Sequence, residues 1–172
     1  MAWTASGMFT ATMSDYFSGT IANTGAGAAD LDAAAALKVA LYDNSITPNY
    51  EAASAATQYG AGGIWVATGS QTGTTQVYHT GQWAQAGVTL AAPALTRPGA
   101  GVVMFDANDA ASGAAATMSN IYGALVYIDA LTTPVIDQGL FAVYFGGTGY
   151  SVTSGTFTIQ WNGSGLFRLT IA

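Results

Sequence analysis

From Val88 to its end the chain is a succession of short segments, each only a few residues long, cut apart by Asp, Asn, Gly, Pro and Ser. Val88–Ala91, Gly101–Phe105, Thr117–Ile121, Tyr122–Ile128, Leu140–Phe145, Thr156–Trp161 and Leu166–Ile171 are too short for helices, and several alternate apolar with polar residues, which is the period of a half-buried strand. In the sixth, Phe157, Ile159 and Trp161 share one face and Thr156, Thr158 and Gln160 the other. Ala124 to Ile128 is apolar on both faces and is expected to be a central, covered strand. Asn162-Gly163-Ser164-Gly165 is tight-turn chemistry, which predicts a C-terminal hairpin. With no long helical pattern between them, such strands predict a mainly β fold, an antiparallel β-sandwich of the jelly-roll kind.

The first third of the chain reads differently. Phe9, Met13, Tyr16 and Phe17 recur at helical spacing, with Ser6 placed to cap the start and Gly19 to end it, so a short amphipathic helix is predicted over Ser6 to Gly19. Thr20 to Asp32 is Gly/Ala-rich and aperiodic, a linker. Leu37 to Tyr42 alternates as a half-buried strand with Leu37, Val39 and Leu41 on one face, and Asp43-Asn44-Ser45 follows as a turn. Tyr50 to Tyr59 is Ala-rich enough for one or two helical turns before Gly60 to Gly63, and Ile64 to Gln85 reads as a long loop or irregular strands. The expected organisation is therefore an N-terminal helix and linker, 1–32, and a sandwich domain, 33–172. A linker of this composition lets the helix leave the domain, so its apolar stripe is expected either to cover its own sandwich or to serve attachment to a neighbouring subunit or the capsid surface.

Composition limits the partners. Charged residues are only 7% of 172, with three basic residues against nine acidic ones and a net charge of −6. No basic patch exists to neutralise a phosphate backbone, so direct nucleic-acid binding is not expected. There is no Cys, hence no disulfide framework and no thiolate chemistry. Residues 1–8 have neither the basic nor the apolar region of a signal peptide, and every long uncharged stretch is interrupted by polar residues, so neither secretion by the usual route nor a membrane helix is expected. A chain this long buries roughly 70% of its unfolded surface, enough for a single core. Yet Ala52 to Thr96 and Gln138 to Phe167 carry no charge at all. A surface so poor in charge is expected to meet other proteins, and the candidate contact residues are Trp3, Phe9, Met13, Phe17, Trp65, Tyr78 and Trp83. Trp65, Tyr78 and Trp83 could also form an aromatic platform for a sugar, although packing is the simpler role.

The side chains that carry chemistry do not assemble in the sequence. His79 is the only histidine and has no carboxylate among its neighbours. Asp106-Ala-Asn108-Asp109 has oxygen ligands at close spacing, but Ala111 and Thr117 stand where a calcium loop needs Gly and a bidentate Glu. Glu51 pairs with no particular Asp, and Asp30 and Asp32 read as turn residues. There is no Gly-x-Ser-x-Gly elbow, and Gly60, Gly62 and Gly63 lack the Lys of a phosphate loop. No catalytic residue, cofactor or metal site is expected.

Several segments together resemble a family of small structural proteins of tailed bacteriophages: the opening Met-Ala-Trp-Thr, Leu37-Lys-Val-Ala-Leu-Tyr-Asp-Asn-Ser-Ile-Thr-Pro-Asn49, Gly101-Val-Val-Met-Phe-Asp-Ala-Asn-Asp109, Tyr122-Gly-Ala-Leu-Val-Tyr-Ile-Asp129 and Gly155-Thr-Phe-Thr-Ile-Gln-Trp161. The similarity runs along the chain, weakest between Tyr50 and Gln85, and lies in fold-forming segments rather than catalytic motifs. It implies a non-enzymatic virion component, made in the host cytoplasm and held by capsid or tail proteins or by its own copies. Size and expected fold suit a capsid decoration or cement protein, assembled as a homo-oligomer and often a trimer. A tail or head-fibre component is the second expectation, and a carbohydrate-binding module for a host surface the third.

Overall fold

Two strands with apolar residues on both faces form the middle of the fold. The computed structural model describes residues 3–21, 31, 37–61, 63–129 and 131–170. Most of the expected linker, including Asp30 and Asp32, lies outside the described residues. In chain order the elements are β1 (Gly7–Met8), α1 (Thr10–Phe17), β2 (Leu37–Tyr42), a 3-10 turn (Ser54–Thr57), β3 (Gly69–Ser70), β4 (Gln76–Val77), β5 (Val88–Thr89), β6 (Ala94–Gly99) and β7 (Val102–Asp106). There follow β8 (Ala110–Ala111), β9 (Ala116–Ile121), β10 (Gly123–Ile128), β11 (Gly139–Tyr144), β12 (Tyr150–Gly155), β13 (Thr158–Ile159) and β14 (Phe167–Thr170). The fold is mainly β, with one helix among the described residues and several sheets that are antiparallel except for the β3–β4 pair.

The principal sheet has seven strands in the order β1-β11-β10-β2-β4-β3, with β5 also on β2. β10 is buried along its whole length, as its two-faced apolar sequence predicts. β2 departs from the half-buried expectation: Leu37, Val39 and Leu41 enter one core cluster, while Ala40 and Tyr42 enter another on the opposite face. Only Lys38 reaches outward, 3.0 Å from the Asp129 carboxylate. The sheet thus separates two cores. On one side the first cluster joins it to the smaller sheets through Phe105, Ala110, Met118, Ile121 and Ile159. On the other, Trp65 is packed edge-on by Trp3, Phe9 and Tyr42 at centroid distances of 5.7, 5.9 and 5.1 Å. Such rings supply 150–250 Å² of burial each and prefer this T-shaped contact. At β11 a bulge leaves Leu140 unpaired between Phe141, opposite Val126, and Gly139, opposite Tyr127, so that Leu140 and Phe141 both enter the first core.

The N-terminal segment is built into this arrangement. Gly7 and Met8 extend the sheet against Ala142 and Phe141, and the helix begins only at Thr10. Ser6 does not cap it; its Oγ accepts the Tyr144 N–H at 2.9 Å, because the open edge of β11 offers residues 6 to 8 a backbone ladder that one more helical turn would forgo. Gly19, at φ +74°, does end the helix as expected. Gly123 is required where β10 passes β11, since a Cβ there would stand 2.4 Å from the Val143 carbonyl oxygen and 2.7 Å from the Trp3 ring.

The C-terminal hairpin does not form. Asn162 does make its turn, accepting the Ser164 N–H on Oδ1 at 2.9 Å and the Gly165 N–H on its carbonyl at 2.8 Å. The flanking segments then part: β13 pairs with β8, while β14 pairs with β7 in the three-stranded sheet β14-β7-β6. The expected strand over Thr156–Trp161 shrinks to two residues because β8 offers only two partners. Its facing is as predicted, with Ile159 buried, Phe157 and Trp161 half-buried against the same core, and Thr156, Thr158 and Gln160 exposed.

Candidate interaction surface

Of the contact residues expected from sequence, Trp3, Phe9, Trp65 and Trp83 are buried within the chain itself, which leaves them no area for a second molecule to touch. Trp65 and Trp83 therefore form no sugar platform; Trp83 meets Phe157 edge-on at 5.9 Å. Tyr78 and Met13 are half-buried, and Phe17 is 80% exposed. The helical stripe is thus divided, with Phe9 entering the core beside Trp65 and Phe17 facing out.

The groups that could do chemistry are engaged in holding the chain. Nδ1 of His79 accepts the Thr117 N–H at 2.8 Å, and the backbone of His79 exchanges hydrogen bonds with Trp83 at 3.0 and 2.9 Å. Asp109 Oδ1 accepts the Trp161 N–H at 3.0 Å, and the Asn108 carbonyl accepts the Trp161 indole N–H at 3.0 Å, so this acidic loop anchors the C-terminal segment. Among the described residues no three His, Cys, Asp or Glu side chains converge on a possible metal. Beneath α1, Thr12 donates to the Gly139 carbonyl at 2.6 Å, and Gln138 Nε2 donates to Thr12 Oγ1 at 3.1 Å and Asp15 Oδ2 at 2.8 Å. Ser54 also donates to Asp15 Oδ2 at 2.7 Å, which ties the helix to the 3-10 turn. Burial pushes the phenols of Tyr42 and Tyr127 well above their ordinary range, so they remain neutral donors, to the carbonyls of Val66 and Ala86. Tyr59 is stacked on Tyr127 at 4.5 Å, and its own phenol is raised by the same cause.

Two clefts border the three-stranded sheet. The larger, about 550 Å³, runs between β11 and the C-terminal segment and mixes polar with apolar lining, including Gln160, Asn162 and Arg168. The second, about 260 Å³, lies between α1 and the face of the three-stranded sheet, where Met13, Phe17, Leu95, Val103, Phe167 and Leu169 line it. The register explains this apolar face: Leu95 and Phe167 both stand opposite Phe105, and Leu169 stands opposite Val103, so all five share one side of the sheet. Phe17, Leu95 and Leu169 are 80%, 52% and 41% exposed. β6 was missed in the sequence reading, whereas β14 was expected within Leu166–Ile171; together they supply Leu95, Phe167 and Leu169 to this surface. Among the described residues no helix is long and apolar enough to cross a membrane.

No protein-family model, curated protein or solved structure matches this chain.

Proposed function

We propose that the chain is a non-enzymatic structural subunit of a bacteriophage virion, held in place by protein–protein contacts, with capsid decoration as its most specific role. The observation that carries this reading is the open apolar cleft of α1 and the three-stranded sheet, with Phe17, Leu95 and Leu169 beside it, on a chain of only 7% charged residues. Exposed apolar faces of this kind mark association surfaces. The segments resembling small phage structural proteins support the same reading, and the packing of the seven-stranded sheet against smaller, mostly antiparallel sheets is compatible with the sandwich such a subunit would have. The side chains of His79 and Asp109 each accept a backbone N–H, which ties them to holding the chain.

The test is the number of copies per purified particle, read by quantitative gel. Hundreds of copies fit decoration of the head, and a few to tens fit a tail or head-fibre position. Absence from the particle refutes the virion reading, and glycan-array binding by the isolated chain would move the function to a carbohydrate-binding module.

A further inference from the structure

The larger cleft, about 550 Å³ between β11 and the C-terminal segment, joins three features that call for one kind of occupant. Its covered side is apolar: Phe141, Val143 and Phe145 recur at the strand period and all belong to the first core. Its exposed side is polar, with Gln160, Asn162 and Arg168, and no Asp or Glu lines it among the described residues. Lys38 is held by Asp129, whereas Arg168 forms no ion pair among the described residues. A cleft with one unpaired guanidinium and no acid, on a chain of net charge −6, suits a carboxylate.

The third feature is backbone. β1 ends the seven-stranded sheet, β14 ends the three-stranded one, and residues of both line this cleft. The Phe9 N–H goes to the Leu140 carbonyl on β11, so by the alternation of an antiparallel pair the N–H and carbonyl of Met8 point away from β11. An alkyl or aromatic ligand cannot pair such an edge, and an extended polypeptide can. A second copy of this chain offers no suitable strand. Among the described residues β7 alone of the strands carries an acid, Asp106, and β7 is held on both sides by β6 and β14.

We propose that this cleft receives an extended, acidic segment of a different protein, which pairs its backbone with the outer edge of β1, sets apolar side chains in the cleft and places a carboxylate on Arg168. This rests on the structural-subunit reading and names the chemistry of the partner and the face it takes. The backbone ladder supplies affinity, and the arginine with the apolar lining supplies selectivity.

Selection of a random linear heptapeptide library on the immobilised full chain tests it. Peptides with Asp or Glu among β-branched or aromatic residues are expected to be enriched, and the strongest, resynthesised with a fluorophore, is read by anisotropy. Arg168→Glu is expected to keep the wild-type melting temperature and weaken binding about tenfold, less at high salt, and a peptide with Lys in place of its acid is expected to regain binding to this variant. N-methylation of one of the two alternate sets of peptide amides is expected to weaken binding about tenfold, while the other set is tolerated. The absence of any binder, binders without an acid, or binding indifferent to Arg168→Glu or to N-methylation overturns the proposal. Wild-type self-association in sedimentation velocity that Arg168→Glu abolishes assigns the cleft to a second copy and also overturns it. The structural-subunit reading stands or falls separately, on the copy number in particles.

Discussion

Phe9 and Phe17 stand on one stripe of the sequence, but the fold gives them opposite environments, and alanine substitutions can measure the difference. Phe9 is fully buried, 5.9 Å from the Trp65 ring and 5.7 Å from that of Tyr50. Removing a buried phenyl group costs about 3–5 kcal/mol through lost transfer energy and the cavity left behind. Phe17 is 80% exposed, and exposed positions away from special features shift stability by about 0.5 kcal/mol or less. Urea denaturation followed by tryptophan fluorescence reads both. With a slope of about 2 kcal/mol per molar urea, Phe9→Ala is expected to lower the midpoint by about 1.5–2.5 M and Phe17→Ala by at most about 0.25 M. The comparison belongs at the lowest workable concentration, because association through Phe17 would add its own stabilisation by mass action. Equal shifts, or a loss below about 1 kcal/mol for Phe9→Ala, would mean that the N-terminal segment leaves the core in solution, and the account of the second core would fall with it.

Further expectations follow from the same geometry. Gly123→Ala is expected to cost about 1–3 kcal/mol by forcing β10 and β11 apart or displacing Trp3, and an unchanged thermal midpoint would contradict the close approach. Ile159→Ala is expected to cost about 2–5 kcal/mol and Thr158→Ala about 0.5 kcal/mol or less; similar urea midpoints for the two would show that the facing of β13 is wrong. Tyr42 and Tyr127 hold their protons in the folded state beyond the ordinary phenol value of 10.0, so the folded chain keeps protons that the unfolded chain releases above that pH. Their contribution is complete below about pH 10 and declines above it by about 1.4 kcal/mol per pH unit for each. Urea midpoints across this range should fall less steeply in Tyr42→Phe, and identical slopes would refute the burial argument.

What the sequence revealed depended on whether a strand was marked by its own residues or by its partners. β10 was legible because Ala124 to Ile128 is apolar on both faces, and the facing of Phe157, Ile159 and Trp161 because strict alternation survives even where pairing is brief. β2 was found but its second buried face was missed, since Ala40 is small, Tyr42 is amphipathic and Lys38 interrupts the run. β6 carries Arg97 and Pro98, and β12 is largely exposed Ser, Thr and Gly; neither has an apolar period to detect. On the helix, the apolar cleft was legible at Met13, Tyr16 and Phe17. Most of its other walls come from β6, β7, β11 and β14, and the side that Leu95 and Leu169 share is fixed by the pairing register of strands far apart in the chain. The C-terminal hairpin failed for a related reason: turn chemistry specifies a reversal of direction, not which sheet receives the strand that follows.

The seat of β1 on β11 also determines the sequence of events in synthesis. Thr12 and its acceptor Gly139 are separated by 127 positions, so the residues made first find their partners only when most of the chain has left the ribosome. Trp3 and Phe9 must remain without their native cover during that interval, because Leu125, Tyr127 and Ala142 of the same cluster are also translated late. Pairings of such long range slow folding and expose apolar surface on the way. A chain with only 7% charged residues has few charged side chains to cover that apolar surface in the meantime, which makes the speed at which β11 closes over the N-terminal segment a determinant of how much protein reaches the folded state.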